Sequence, residues 1–157
     1  MLSAEAIKNI DYELTKYPAD QRQAAVMSAL RIVQTERGWL SKDSITEVAQ
    51  YLGMPEIAAM EVATFYNMYD LEPVGKYKIA ICTNISCMLR DSDVIVDHLK
   101  AKLGVDFNEV TPDGKFCLKE GECMGACGGA PLLIVNNHTM HEFLTPAKVD
   151  AILEELK

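Results

Sequence analysis

The chain has 157 residues, 49% of them hydrophobic and 24% charged, a composition that suits one compact domain or two small ones and excludes disorder as the main state. Fifteen Lys plus Arg against 23 Asp plus Glu leave a formal charge of -8, the wrong sign for neutralising phosphates, so no nucleic-acid partner is expected and the acidic surface reads as a solvated one. The longest apolar runs, such as residues 131–135, fall far short of the roughly 20 residues that span a bilayer, and residues 1–11 lack both a basic start and an unbroken apolar core. No membrane insertion and no secretory signal are expected, and the expected compartment is the cytoplasm.

The first 70 or so residues carry only helical signals. Ser3 caps a segment whose apolar positions Ile7, Ile10, Leu14 and Tyr17 keep three-to-four spacing until Pro18 stops it. A second helix from about Asp20 turns Ala25, Met27, Ala29, Leu30 and Val33 inward and ends at Gly38. Ser41 opens a third, with Ile45, Val48, Ala49 and Leu52 on one face and Gly53 at its end. Pro55, as first helical residue, starts a fourth through Ile57, Met60, Ala63 and Tyr66. The methionines read as core filler, because flexible thioethers fill gaps. Pro73 and Gly75 then break the pattern, which divides the chain into a small helical bundle over 1–73 and a second domain over 74–157.

The second part alternates between strands and helices. Tyr77–Cys82 reads as a buried strand, and a helix follows from Asp91 to Leu103, closed by Gly104. Residues 105–110 and 115–118 are strand candidates, the latter entered through the turn at 112–114. Residues 132–135 and 139–143 flank Asn136 and Asn137 as a hairpin, and Thr145 with Pro146 begins a last helix carrying Val149, Ile152, Leu153 and Leu156. The fold class is therefore α/β (α+β), an open sheet with helices packed over it. The element order matches a thioredoxin-like fold.

Four of the five cysteines fall into pairs. Four residues separate Cys82 from Cys87 and three separate Cys123 from Cys127, with 35 between the pairs, a pattern that suggests one four-thiolate site. The first pair sits where a strand ends and a helix begins, so backbone N–H groups can stabilise anionic sulfur. The second lies in a loop with Gly121, Gly125, Gly128 and Gly129, which permit tight turns and expose backbone donors to bridging sulfides. Such a loop suits an iron–sulfur cluster better than a lone cation. Structural zinc remains an alternative, although its usual knuckles carry two intervening residues, and so does a thiol oxidoreductase, although that normally uses Cys-x-x-Cys. Plant-type ferredoxin spacing is not met. Cys117 reads as a small apolar strand residue, His138 and His141 as surface histidines on opposite faces of a strand, and His98 as solvent-facing.

Three motifs carry a family resemblance: Gly75-Lys-Tyr-Lys-Ile-Ala-Ile-Cys-Thr-Asn-Ile-Ser-Cys87, the loop Glu122-Cys-Met-Gly-Ala-Cys-Gly-Gly-Ala-Pro131, and Val62-Ala-Thr-Phe-Tyr-Asn-Met68. Taken in chain order, and over nearly the whole chain, they resemble the NuoE family, the small 2Fe-2S subunit of NADH:quinone oxidoreductase (respiratory complex I). The resemblance implies a thioredoxin-like 2Fe-2S ferredoxin domain whose cluster is held by Cys82, Cys87, Cys123 and Cys127. One departure is Asp91, where relatives often have glycine and where the start of the following helix is expected to shift.

No dinucleotide fingerprint, phosphate loop or nucleophile elbow is present in the sequence. The resemblance therefore implies an electron-transfer subunit without its own NADH or quinone site, exchanging single electrons with FMN on an NADH-binding flavoprotein partner and sitting with other peripheral-arm subunits on the cytoplasmic side of a membrane-bound complex. The alternatives are the diaphorase part of an NAD-linked hydrogenase or formate dehydrogenase, and, in another class, a zinc-stabilised adaptor without redox role.

Overall fold

A computed structural model describes residues 1–156. The chain forms two compact units, Met1–Pro73 and Val74–Lys157.

In the first unit α1 spans Ala4–Leu14, and the Ser3 hydroxyl accepts the Ala6 N–H at 3.0 Å as its cap. A 3-10 turn at Arg22–Ala25 leads into α2, Val26–Arg37, which Gly38 ends at φ 85. The third helix, α3 (Lys42–Leu52), is capped by Ser41 and closed by left-handed Gly53, and α4 covers Glu56–Phe65. Ile10, Leu30, Val33, Leu40, Ile45, Val48 and Leu52 meet in its core with Ala59 and Ala63 of α4. The segment after α4 is pinned back. Gln34 donates to the Met68 carbonyl at 2.9 Å and accepts the Asp70 N–H at 2.7 Å, and the Tyr69 hydroxyl donates to the Met27 carbonyl at 2.9 Å.

Several inward positions expected from spacing are corrected. Met27 is exposed, one position off the stripe of Val26, Ala29, Leu30 and Val33, because the 3-10 turn delays the start of α2. Pro55 stands before α4 as its cap, and the helix buries Ala59 and Ala63 on the side away from the exposed Ile57. Tyr17 and Tyr66 lie beyond the ends of α1 and α4 and are exposed too.

The second unit is a four-stranded mixed sheet of order β2-β1-β3-β4, with β1 at Tyr77–Cys82, β2 at Phe116–Gly121, β3 at Leu133–Val135 and β4 at Thr139–His141. Between β1 and β2 come the short α5, Ile85–Met88, and α6, Ser92–Leu103; α7, Pro146–Glu155, follows β4. Strands β1 and β2 run parallel from Tyr77 opposite Phe116 to Cys82 opposite Gly121, whereas β1–β3 and β3–β4 are antiparallel. A parallel neighbour needs a crossover, and α6 supplies it. One face of the sheet, with Ile79, Ile81, Phe116, Leu118, Leu133 and Val135, packs under Ile95, Val96 and Leu99 of α6 and Val149, Ile152 and Leu153 of α7. The hairpin turns on Asn136 and Asn137, both at positive φ, and Asn136 also accepts the Lys78 N–H at 2.7 Å.

Residues 105–110 are not a strand. Asn108 takes φ 66, and Asp106 and Glu109 form a local turn in which Glu109 accepts the Asp106 N–H at 2.7 Å; main-chain pairing with β2 is limited to hydrogen bonds of Asn108 and Glu109 with Leu118 and an isolated bridge from Val110 to Cys117. β2 runs on to Gly121, and β4 ends at His141, shortly before Phe143 at φ 49. A main chain in the left-handed region cannot continue a pleat.

Candidate metal centre

Side chains alternate along β1, so Ile79 and Ile81 enter the core under α6 and α7 while Cys82 turns to the other face. There it packs with Cys87, Ala130 and Leu132 in a separate small cluster that Met124 and Ala126 partly cover. The Asn84 side chain accepts the Ile85 N–H at 2.9 Å and starts α5, a single turn that brings Cys87 back beside Cys82. Sequence periodicity missed α5, because four residues carry no helical repeat; Asn84 before Ile85 was its one readable signal.

The second loop leaves β2 directly alongside. Thr83 N–H donates to the Gly121 carbonyl at 2.9 Å, and the Cys82 thiol reaches the Glu122 carbonyl at 3.5 Å, so Cys123 follows a residue that touches the first cysteine. Gly125 N–H points at the Cys123 sulfur at 3.4 Å. Farther on, Gly129 N–H donates to the Ala126 carbonyl at 2.9 Å and Phe143 N–H to the Gly129 carbonyl at 2.6 Å, which closes the loop around Cys127. Cys82 and Cys87 are buried, Cys123 and Cys127 exposed.

Burial pushes the Cys87 thiol up to about 11; a hydrogen bond with Cys82 and the charges of Cys82 and Cys127 act in the same direction, while the Leu132 N–H opposes them. Cys82 and Cys127 thus both act on Cys87, and Cys123 directly follows Glu122, whose carbonyl the Cys82 thiol reaches. Among the described residues no group of three or more His, Cys, Asp or Glu side chains is gathered for a single metal ion. The donor chemistry fits an iron–sulfur cluster: two cysteine pairs on adjoining loops offer thiolate ligands for ferric iron, and the Gly125 N–H is turned toward the Cys123 sulfur.

Cys117 is buried in β2 opposite Lys78 and outside the cysteine group. His138 lies in the hairpin turn and His141 in β4, so the two do not share a strand. His98 is not simply solvent-facing: half-buried on α6, it lies 2.9 Å from Asp150 of α7, and that contact, followed by Lys102, holds the Asp150 carboxyl below its usual range. Asp91 adopts a left-handed φ of 64 and the following helix starts at Ser92.

The loop glycines differ in kind. Gly125 has φ 74, a conformation L side chains rarely adopt. A Cβ at Gly129 would lie 2.7 Å from Cβ of Glu142, so a side chain there clashes. Gly128 has neither a positive φ nor a protein atom within 4 Å of a built Cβ, which removes the expected backbone reason for glycine at that position.

The family model for the thioredoxin-like [2Fe-2S] ferredoxin matches residues 10–157. The chain belongs to this family. Its cofactor is accordingly a [2Fe-2S] cluster. Similar proteins include the E subunit of NADH-quinone oxidoreductase from Rickettsia bellii, 45% identical over 92% of this chain and 86% of that protein. The subunit numbered 2 of the same enzyme from Thermus thermophilus is 38% identical over 94% of this chain and 82% of its own length, and an E subunit from Rhizobium meliloti is 40% identical over 96% and 88%. A solved NAD+-reducing [NiFe]-hydrogenase in its air-oxidized state superposes on 89% of this chain with TM-score 0.72 and 21% identity; the matched part spans 24% of that hydrogenase chain, and the likeness is one of fold. No helix among the described residues is long and apolar enough to cross a membrane.

Proposed function

We propose that this chain is the electron-transfer subunit of the NuoE type in an NADH:quinone oxidoreductase, with Cys82, Cys87, Cys123 and Cys127 as the ligands of its [2Fe-2S] cluster. In this reading single electrons pass between that cluster and FMN on an NADH-binding flavoprotein partner, within the peripheral arm on the cytoplasmic side of the complex. The hydride chemistry belongs to the partner, because a one-electron centre cannot split a hydride without a flavin. The observation that carries the reading is the juxtaposition of a buried cysteine pair with an exposed, glycine-looped pair in one ferredoxin unit of a chain 38% to 45% identical to NADH-quinone oxidoreductase subunits.

A [2Fe-2S] cluster, when bound, takes up and releases one electron. The chain's residues define its surroundings. Cys82 and Cys87, packed on Ala130 and Leu132, exclude water from the inner side, whereas Cys123 and Cys127 face outward, where a partner can approach. Gly125 N–H stabilises negative charge on the Cys123 sulfur.

The test mixes the cluster-loaded full chain with the FMN-carrying subunit and NADH. The EPR signal of the reduced cluster is expected only when the partner is present. Reduction by NADH without the partner, or no reduction with it in protein that dithionite does reduce, contradicts the proposal.

A further inference from the structure

The stretch between Gly121 and Gly129 carries two of the four cysteines, yet Glu122, Cys123, Gly125, Cys127 and Gly128 are all exposed. The partly buried apolar side chains of this stretch that pack on the buried group of Cys82, Cys87, Ala130 and Leu132 are those of Met124 and Ala126. Ala126 carries only a methyl group, so Met124 makes the substantial contact. Its thioether lies over Gly121, the residue opposite Cys82 in the parallel β1–β2 register. A Cβ built on Gly121 would clash with the Met124 methyl and come within 3.4 Å of its sulfur. The space that a side chain at position 121 would need is taken by Met124.

Building on the ligand assignment above, we propose that Met124 and Gly121 form a latch that positions Cys123 against Cys82. Gly121 leaves the socket empty, and the Met124 side chain fills it. The two residues flanking Met124 are thereby held, one of them the proposed ligand Cys123 and the other Gly125, whose N–H points at the Cys123 sulfur. The pairing has its own logic in the chain: Met124 stands three residues after Gly121 and immediately after Cys123, so seating the thioether ties down a loop in which Cys123 and Gly125 on either side are exposed. Met124 is a positioning residue, without a bond to iron.

The latch predicts an interaction between the two sites. In the full chain loaded with iron and sulfide, Met124→Ala is expected to release iron to a ferrous chelator faster by on the order of tenfold, as is usual when support behind a metal ligand is removed. Gly121→Ala, whose Cβ would displace the Met124 methyl from the socket and lie 3.3 Å from the Ile81 carbonyl oxygen, is expected to do the same to a smaller degree and to shift the EPR g values in the same direction. Met124→Leu, which refills the socket, is expected to stay near the wild-type rate. The double variant Gly121→Ala/Met124→Ala is expected to be no worse than Met124→Ala alone, since each removes the same contact. Wild-type release and an unchanged EPR spectrum in Gly121→Ala or Met124→Ala overturn the latch, as does a double variant whose effect is the product of the two single ones. If Met124→Ala does not load, Gly121→Ala and Met124→Leu still decide between these outcomes. Wild-type protein without iron and labile sulfide would instead overturn the ligand assignment on which the latch rests.

Discussion

At the scale of single residues, the backbone of Gly125 carries the sharpest demand in the cysteine loop. Its φ of 74 aims its N–H at the Cys123 sulfur, and a β-branched side chain in that region costs about 1–3 kcal/mol. Asn tolerates the left-handed conformation far better. Gly125→Val is therefore expected to lower the iron content of purified protein, whereas Gly125→Asn retains most of it. Equal, wild-type iron in both variants would contradict the conformational argument. Gly75 makes a different demand, since a Cβ there would lie 2.8 Å from the backbone carbonyl carbon of Phe116; the sequence marks it only as a breaker, although its role is to let two strand entries approach.

At the scale of elements, the helical unit contains a partly buried hydrogen bond, from the Tyr69 hydroxyl to the Met27 carbonyl, that the sequence did not reveal. Burial pushes the Tyr69 phenol up to about 12, so the folded unit favours the protonated form. Its contribution to stability is present in full below the ordinary tyrosine value near 10 and is lost as pH rises from there through about 12. Tyr69→Phe is expected to cost about 1 kcal/mol near neutrality, the worth of a typical hydrogen bond. The gap between wild type and variant should narrow on going from pH 8 to pH 11 in urea unfolding followed by the fluorescence of Trp39, the chain's one tryptophan. A gap that does not change with pH would mean that Tyr69 is not the titrating group. Elements with strong end signals were legible: Ser3, Ser41 and Thr145 cap helices as their positions indicate, and the two asparagines make the hairpin turn. What was not legible depended on local geometry that period counting does not see. Residues 105–110 carry a strand-like pattern, but side-chain hydrogen bonds of Asp106 and Glu109 favour a turn, and α5 is too short to show a period.

At the scale of the whole molecule, the four cysteines were legible as two pairs, while the contacts that join them were not, because the Cys82–Glu122 contact and the Met124 socket arise only when β1 and β2 lie side by side. We propose that the units correspond to two domains, 1–73 and 74–157, and that the helical one docks on the flavoprotein partner. Phe65, 79% exposed, meets the exposed Tyr66 edge-on with ring centroids 5.0 Å apart, an aromatic pair of the kind that anchors interfaces. Deletion of residues 1–70 is expected to leave a folded, cluster-bearing domain that no longer captures the FMN-carrying subunit in pull-down; undiminished capture would remove the helices from the interface. The central claim is the ligand set itself, and the most direct measurement is iron and acid-labile sulfide content, with EPR before and after dithionite, on the reconstituted full chain and its four single Cys→Ser variants. About two irons and two sulfides per chain are expected in the wild type, with loss or alteration of the signal at Cys82, Cys87, Cys123 and Cys127. A chain that binds zinc without sulfide, or a Cys123→Ser protein with an unaltered signal and full iron content, would contradict it.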